Sequence, residues 1–205
     1  MTSLGTKINR LHRKIGETLT IIRDSGNVDG EYCLIESNAQ VTKPFIREFF
    51  QDGFFDHDTN VTAGDLVWVS DGRYFMVMNM TPERFQNGTI EQAAVLYKCN
   101  VSGQLYRYSG EATWDDDYDL VAAPVLIKSD CYGLLTEALY GNDLNENREL
   151  GNLGLQEHEL YIPASVGVEV HDRYQVSSGE YYRVETIAKR RYENIDVAIV
   201  GEDTR

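Results

Sequence analysis

"WVSDGRYFMV", residues 68–77, is followed 107 positions later by "QVSSGEYYRV", residues 175–184. Each stretch has a valine before a short polar turn, and aromatic and valine residues after it. Gly72 and Gly179 occupy the same place in the two turns, where a tight hairpin or a G1 bulge requires a positive φ. The residues that follow suit a pleated, half-buried strand. The sequence therefore predicts one scaffold hairpin that is present twice, with Gly72 and Gly179 as its turn residues.

The repeat extends beyond this hairpin. Residues 64–87 match residues 171–194 at the same spacing, and "LIES" at 34–37 resembles "LIKS" at 126–129 at a spacing of 92. The smaller spacing indicates about 15 extra residues in the second copy, which we place in a polar, glycine- and asparagine-rich loop. The predicted organisation is an N-terminal helix and first strand (1–31), a first β unit (32–100), a linker with an acidic loop (101–123), and a second β unit (124–205) with a long loop at 140–156.

Short β-prone runs separated by turn residues fill most of the chain and predict a mainly β fold, with two related barrel or sandwich units in tandem. Before them, apolar residues recur at steps of three and four over residues 4–15, which predicts an amphipathic helix. Gly16 is expected to end that helix, and "ETLTIIR" at 17–23 to form a first strand. Residues 41–55 and 132–141 are expected to hold a short helix or a structured loop.

Charge is distributed unevenly along the chain. The net charge is −14, which disfavours wrapping of nucleic acid, because neutralising phosphates requires basic residues on the contact face. Residues 1–25 nevertheless carry five basic and two acidic residues, so a basic head precedes an acidic body. The helix is a candidate docking element for partners, and a helix that covers a barrel mouth is the alternative. Its basic residues are Lys7, Arg10, Arg13 and Lys14.

Targeting and cysteine patterns point to a soluble, non-secreted protein. No apolar run approaches the length of about 18 residues that a membrane span needs, and the N-terminus lacks the apolar stretch of a signal peptide. The cysteines are odd in number and have no C-x-x-C spacing, which predicts reduced and mostly buried thiols rather than disulfides or a zinc site. They are Cys33, Cys99 and Cys131.

The sequence contains no complete motif for catalysis or metal binding. The acidic run at 114–119 is typical of a solvated loop, and residues 143–154 begin like a calcium loop but lack its glycine and its final glutamate. His57 and His158 each lie between carboxylates, but adjacent side chains in a strand point to opposite faces. We therefore predict no catalytic residue, no metal site, no cofactor and no enzymatic activity.

Thirteen tyrosines, several of them close together in the sequence, suit half-buried surfaces, either in a core or at a subunit interface. Trp114, Tyr106 and Tyr108 are the aromatic candidates for an interface.

The basic helix, "GETLTIIR" at 16–23 and "GDLVWVSDGRYFMV" at 64–77 together resemble the small connector proteins of tailed bacteriophages. These are the adaptor, stopper and head–tail joining proteins of the neck, with related tail-tube and baseplate components. The resemblance implies a β-barrel or sandwich that forms a ring through loops and terminal segments, with no shared catalytic motif. The duplication departs from the single-barrel members of this group.

This resemblance implies a homo-oligomeric ring in the neck of the virion, assembled in the host cytoplasm. Its partners would be portal or adaptor proteins and tail proteins, without a membrane, and DNA would pass through its lumen. An acidic lumen would let the duplex slide, because like charges repel. A tail or baseplate protein is one alternative, and a binding module that recognises a surface carbohydrate or protein through residues 104–114 is another. A hydrolase that uses His57 or His158 is the third.

Overall fold

The computed structural model describes residues 3–37, 48–114, 120–137, 157–177 and 179–203. These residues form a mainly β chain that begins with a helix. The elements are α1 (Leu4–Ile15), β1 (Glu17–Ile22), β2 (Val28–Ser37), β3 (Phe50–Asp56), β4 (Leu66–Val69), β5 (Tyr74–Phe85), β6 (Gly88–Lys98), β7 (Val101–Trp114), β8 (Leu120–Glu137), β9 (Glu157–Pro163), a 3-10 turn (Ala164–Val166), β10 (Arg173–Val176), β11 (Tyr181–Tyr192) and β12 (Ile195–Glu202).

Helix α1 has the predicted bounds. Its N-cap is Ser3, whose side chain accepts a hydrogen bond from the Thr6 backbone N–H at 3.1 Å. Gly16 ends the helix as expected, although its φ of −78° is open to any residue. Glycine is required there for space, because a Cβ would lie 2.6 Å from the His12 carbonyl oxygen and 2.9 Å from that of Cys33.

The first barrel closes through its first strand. Strand β1 pairs antiparallel with both β2 and β4, and the strand order is β1-β2-β3-β6-β5-β4. Leu19 and Ile21 point into the core with exposures of 1% and 0%, which confirms the alternation expected for "ETLTIIR". The predicted boundary at residue 32 is thus corrected, since β1 belongs to the barrel and β2 already begins at Val28.

The second barrel repeats this topology. Read from its first strand, the order is β7-β8-β9-β12-β11-β10, so each strand has its counterpart six strands earlier. Strand β7 pairs with β8 and β10, so Val101–Trp114 is the closing strand of this barrel and not part of a linker. The alternation of "QLYRYS" indicates a strand, but the acidic run that follows it is typical of a linker, which explains the wrong prediction. By contacts, one unit comprises Met1–Cys99 with Tyr192–Ile195, and the other comprises Asn100–Arg191 with Asp196–Arg205.

The repeated hairpins have the predicted turn geometry. Gly72 has a φ of +93° and donates its N–H to the Val69 carbonyl at 2.9 Å. Gly179 has a φ of +94° and donates to Val176 at 2.8 Å. A Cβ at either glycine would meet no atom within 4 Å, so backbone conformation alone accounts for the glycine.

The correspondence of "LIES" with "LIKS" is wrong. Leu34 pairs with Phe54, and Leu134 pairs with Tyr161. Phe54 and Tyr161 are 107 positions apart, as the two hairpins are, so the counterpart of "LIES" is "LLTE" at 134–137. This stretch had been expected to be a helix or loop.

Most of the additional length of the second copy therefore lies in its first hairpin. Ile21 pairs with Val28, 7 positions later, whereas its counterpart Leu105 pairs with Lys128, 23 positions later. The β7–β8 hairpin is thus 16 residues longer than β1–β2. We call the described outer part of this hairpin, residues 108–114 and 120–127, the hairpin arm. The predicted loop at 140–156 lies outside the described residues.

An arginine and an aspartate form the same bidentate ion pair in both barrels. Arg23 donates from Nε and Nη2 to the Asp65 carboxylate at 2.8 and 2.5 Å. Arg107 donates in the same way to Asp172 at 2.8 and 2.9 Å. The hydrogen bonds that the guanidinium groups donate to these carboxylates raise the pKa of both arginines above the usual value.

Each carboxylate of these pairs also organises a turn. Asp65 Oδ2 accepts the Thr62 backbone N–H at 2.7 Å, and Asp172 Oδ2 accepts that of Glu169 at 2.7 Å. Each pair therefore ties the first strand of its barrel to the turn that precedes the fourth.

Removal of one arginine tests this role. Asp172 is 1% exposed, so Arg107→Met leaves a buried carboxylate without its main partner and should cost about 2–3 kcal/mol of unfolding free energy. Chemical denaturation measures the loss, and hydrogen exchange should rise at residues 167–172. Arg10→Met, at an exposed helix position, is the control and should change stability by less than about 0.5 kcal/mol. Equal stability of the two variants would contradict a structural role for the pair.

Candidate assembly surfaces

Helix α1 packs on the first barrel through polar side chains. Asn9 is 6% exposed and donates from Nδ2 to Asp58 Oδ1 at 2.7 Å. Its Oδ1 accepts the His57 backbone N–H at 3.2 Å and lies 2.9 Å from His57 Nδ1. Gly5 lies close to the same histidine, since a Cβ there would be 3.1 Å from His57 Cγ. His57 therefore holds the helix in place, a role that its "DHD" context did not indicate.

His12 lies between two carboxylates of the barrel. Its side chain is 3% exposed, with Nδ1 3.1 Å from Asp56 Oδ1 and Nε2 3.5 Å from Glu91 Oε2. Burial raises the pKa of Asp56, while the hydrogen bond with His12 acts in the opposite direction. His12 thus compensates part of the cost of burying this carboxylate.

The apolar side of the helix faces outward. Leu4, Leu11 and Ile15 are 43%, 50% and 59% exposed, and we call these three residues the helix stripe. Amphipathic helices usually pack their apolar face on the core. Here the buried residues Gly5, Asn9 and His12 recur at steps of four and three and form a second face of their own. That polar spacing was the available sequence signal for the inward side.

The four predicted basic residues of the helix differ in where their side chains lie. Lys7, Arg10 and Lys14 are exposed. Arg13 instead turns towards the barrel, with Nε 3.6 Å from Asp56 Oδ2 and its guanidinium 5.7 Å from the centre of the Tyr32 ring. Lys7 lies three residues after Leu4 and four before Leu11, so it borders the stripe. The helix therefore presents an apolar stripe with a basic margin on one side.

The aromatic candidates lie on β7. Tyr106 is half-buried, and its hydroxyl donates to Gln104 Oε1 at 2.5 Å, while Tyr108 is 42% exposed. Trp114 lies at the end of the strand, where its backbone is paired with Leu120.

The partners of these tyrosines on β8 complete a surface. Tyr106 pairs with Leu126, which is 47% exposed, and Tyr108 pairs with Pro124, which is also exposed. Alternate residues of a strand share a face, so the four side chains lie together, opposite the face of the buried Leu105. We call Tyr106, Tyr108, Pro124 and Leu126 the arm face.

A polar cavity of about 330 Å³ opens on the second barrel. Serine, glutamine, aspartate and tyrosine side chains line it: Ser102, Gln104, Asp130, Tyr132, Gln175 and Ser177. It could accept a polar ligand by hydrogen bonding.

The cysteines and His158, which are the remaining candidates for chemistry, lie in surroundings that do not activate them. The cysteines are free thiols, and burial raises the pKa of Cys33, so this thiol is not poised as a thiolate. His158 packs edge to face on Tyr182, with ring centres 5.4 Å apart. Within the described ranges, no three histidine, cysteine or acidic residues are grouped to hold a metal ion. Residues 115–119 and 143–154, which contain the acidic motifs, lie outside those ranges.

Replacement of His12 tests the polar attachment of the helix. His12→Ala should raise the pKa of Asp56 further, because it removes the hydrogen bond that opposes burial, and NMR titration measures this change. Asp56 is 4% exposed, so loss of this hydrogen bond should cost about 1–3 kcal/mol, and hydrogen exchange should increase over residues 4–15. Lys7→Ala, at an exposed position, is the control. Unchanged protection of the helix in His12→Ala would show that other contacts hold it.

In the part of the chain that the structure describes, no helix has the length and apolar character needed to cross a bilayer. Comparison with known proteins finds no family model, no curated protein and no solved structure that matches the chain.

Proposed function

We propose that this chain is a structural component of a tailed-phage virion, which assembles as a homo-oligomeric ring in the neck and joins the capsid and portal to the tail. The observation that carries the proposal is that the two barrels bear two exposed apolar surfaces, the helix stripe and the arm face. Contiguous exposed apolar surface is typical of sites that bind other macromolecules.

The architecture supports assembly through appended elements. In each closed barrel the described strands all have two neighbours, so sheet edges offer no pairing site for another copy. Helix α1 and the described residues of the β7–β8 hairpin carry exposed apolar side chains that could make contacts instead. Phage connectors, which the sequence resembles, likewise oligomerise through terminal segments and loops.

Charge and chemistry fit a structural role better than an enzymatic one. The buried polar groups described above, such as His12 with Asp56 and Arg107 with Asp172, are engaged in holding the fold. The net charge of −14 suits a conduit through which DNA passes without adhering. A tail or baseplate protein would use the same two surfaces to bind other virion proteins.

Native mass spectrometry and negative-stain electron microscopy of the purified chain test the proposal. We expect a closed oligomer at micromolar concentration, and binding to portal, adaptor or tail proteins of the phage that encodes the chain. A chain that stays monomeric up to about 100 µM and binds none of these proteins would contradict it, because the corresponding free energy would be weaker than about 5.5 kcal/mol.

A binding module for a surface carbohydrate is the second candidate, and the polar cavity is the observation that favours it. Tyr132 offers a ring and a hydroxyl at this cavity, as sugar sites require. Glycan-array binding by a monomer, lost in Tyr132→Ala and retained in Tyr108→Ala, would select this function. Absence of binding to any glycan would leave the assembly role as the better explanation.

A further inference from the structure

We propose that the polar cavity of the second barrel binds the guanidinium group of an arginine side chain that a partner protein supplies. The cavity has a volume of about 330 Å³, at the lower end of the range for small-ligand sites. Binding of one side chain can be measured on a monomer, so this site is independent of the assembly role. It also differs from a carbohydrate site, because it depends on the negative charge of Asp130.

Asp130 lies at a position where the backbone favours glycine. A β-bulge in β8 leaves Asp130 outside the pairing with β7, at a φ of +28°. Leu34 and Leu134 are counterparts, and four positions before Leu34 the first barrel has Gly30, with a φ of +87°. A positive φ costs an aspartate more than a glycine. Strain of this kind is typical of a residue whose side chain has a function, and Asp130 lines the cavity.

The polar groups around the cavity favour a cation that carries several N–H donors. Gln175 Nε2 donates to the Tyr181 hydroxyl at 2.9 Å, which leaves Gln175 Oε1 as an acceptor. Gln104 is oriented the other way, because its Oε1 accepts the Tyr106 hydroxyl at 2.5 Å. Asp130 adds an exposed carboxylate, and no basic side chain is among the described residues that line the cavity. The site therefore has a negative charge that only a cationic ligand neutralises.

The first barrel shows an arginine bound by the same combination of groups. Tyr132 of the cavity corresponds to Tyr32, since each lies two positions before its leucine counterpart. The guanidinium group of Arg13, from helix α1, lies 5.7 Å from the centre of the Tyr32 ring, and its Nε is 3.6 Å from Asp56 Oδ2. A tyrosine ring and a carboxylate thus hold one guanidinium group together. The second barrel offers Tyr132 and Asp130 for the same purpose.

The source of the arginine follows from the order of the elements. Helix α1 precedes the first barrel and supplies Arg13 to it. Only two residues separate β6 from β7, so no such helix precedes the second barrel. We therefore assign the arginine to another protein, whose side chain would enter the cavity as Arg13 approaches Tyr32.

Titration with two matched probes tests the ligand class. Nα-acetyl-arginine amide carries the guanidinium group, and Nα-acetyl-citrulline amide has nearly the same shape with a neutral urea group. In NMR titrations the arginine probe should shift the amide signals of residues 102–104, 130–132 and 175–177, with a dissociation constant on the order of 1 mM. The citrulline probe should bind at least about ten-fold more weakly, because it lacks the charge.

Substitution of Asp130 tests the residue on which the proposal depends. Asp130→Asn removes the charge and keeps a residue that tolerates positive φ, and it should weaken binding of the arginine probe at least about ten-fold. Asp130→Gly should weaken binding equally, while its unfolding temperature stays equal or rises, because glycine relieves the strain. Glu83→Gln removes the same charge from an exposed position of the first barrel, and should leave the affinity unchanged. Circular dichroism verifies the fold of each variant.

The opposite results would overturn the proposal. Equal affinity for the two probes, equal affinity of wild type and Asp130→Asn, or no shift at these residues up to about 50 mM arginine probe would each reject the guanidinium site. A sugar that binds in the cavity, is retained by Asp130→Asn and is not displaced by the arginine probe would identify a carbohydrate site instead. None of these results bears on the oligomeric state, so the assembly role is accepted or rejected separately.

Discussion

Closure of each barrel depends on the pairing of its first strand with its fourth. Strand β1 meets β4 and strand β7 meets β10, and in both barrels an arginine of or just after the first strand is bound to the aspartate before the fourth. Without that pairing, each sheet would expose two edges and an open core. The bidentate ion pair holds the turn in the conformation that brings the fourth strand into register.

Much of the fold was predictable because its signals are local. The helix was found from its spacing, β1 from its alternation, and the hairpins from glycines that need positive φ. The unit boundaries were not predictable in the same way, because membership of a barrel depends on pairing between distant strands. Strand β7 has a strand pattern, but nothing within it indicates that β10 is its neighbour. The "LIKS" resemblance failed for a related reason, since four residues match by chance more readily than a whole hairpin does.

The candidate surfaces were only partly predictable. Tyr106 and Tyr108 were identified from composition, and the structure adds the partners on β8 that turn them into a face. The apolar periodicity of α1 was clear, but periodicity does not state which face is buried. Asn9 and His12 decide that question through contacts with Asp58, Asp56 and Glu91, residues far away in the sequence. The arginines of the ion pairs were missed because each stands at a different distance from its aspartate.

The hairpin arm has a consequence for how the two copies came to differ. Lengthening a surface hairpin costs little conformational entropy, since the closure penalty grows only logarithmically with loop length. Only the second copy carries the arm, and only the first is preceded by α1. Two barrels with the same strand order thereby present different outer surfaces, a helix on the first and a lengthened hairpin on the second.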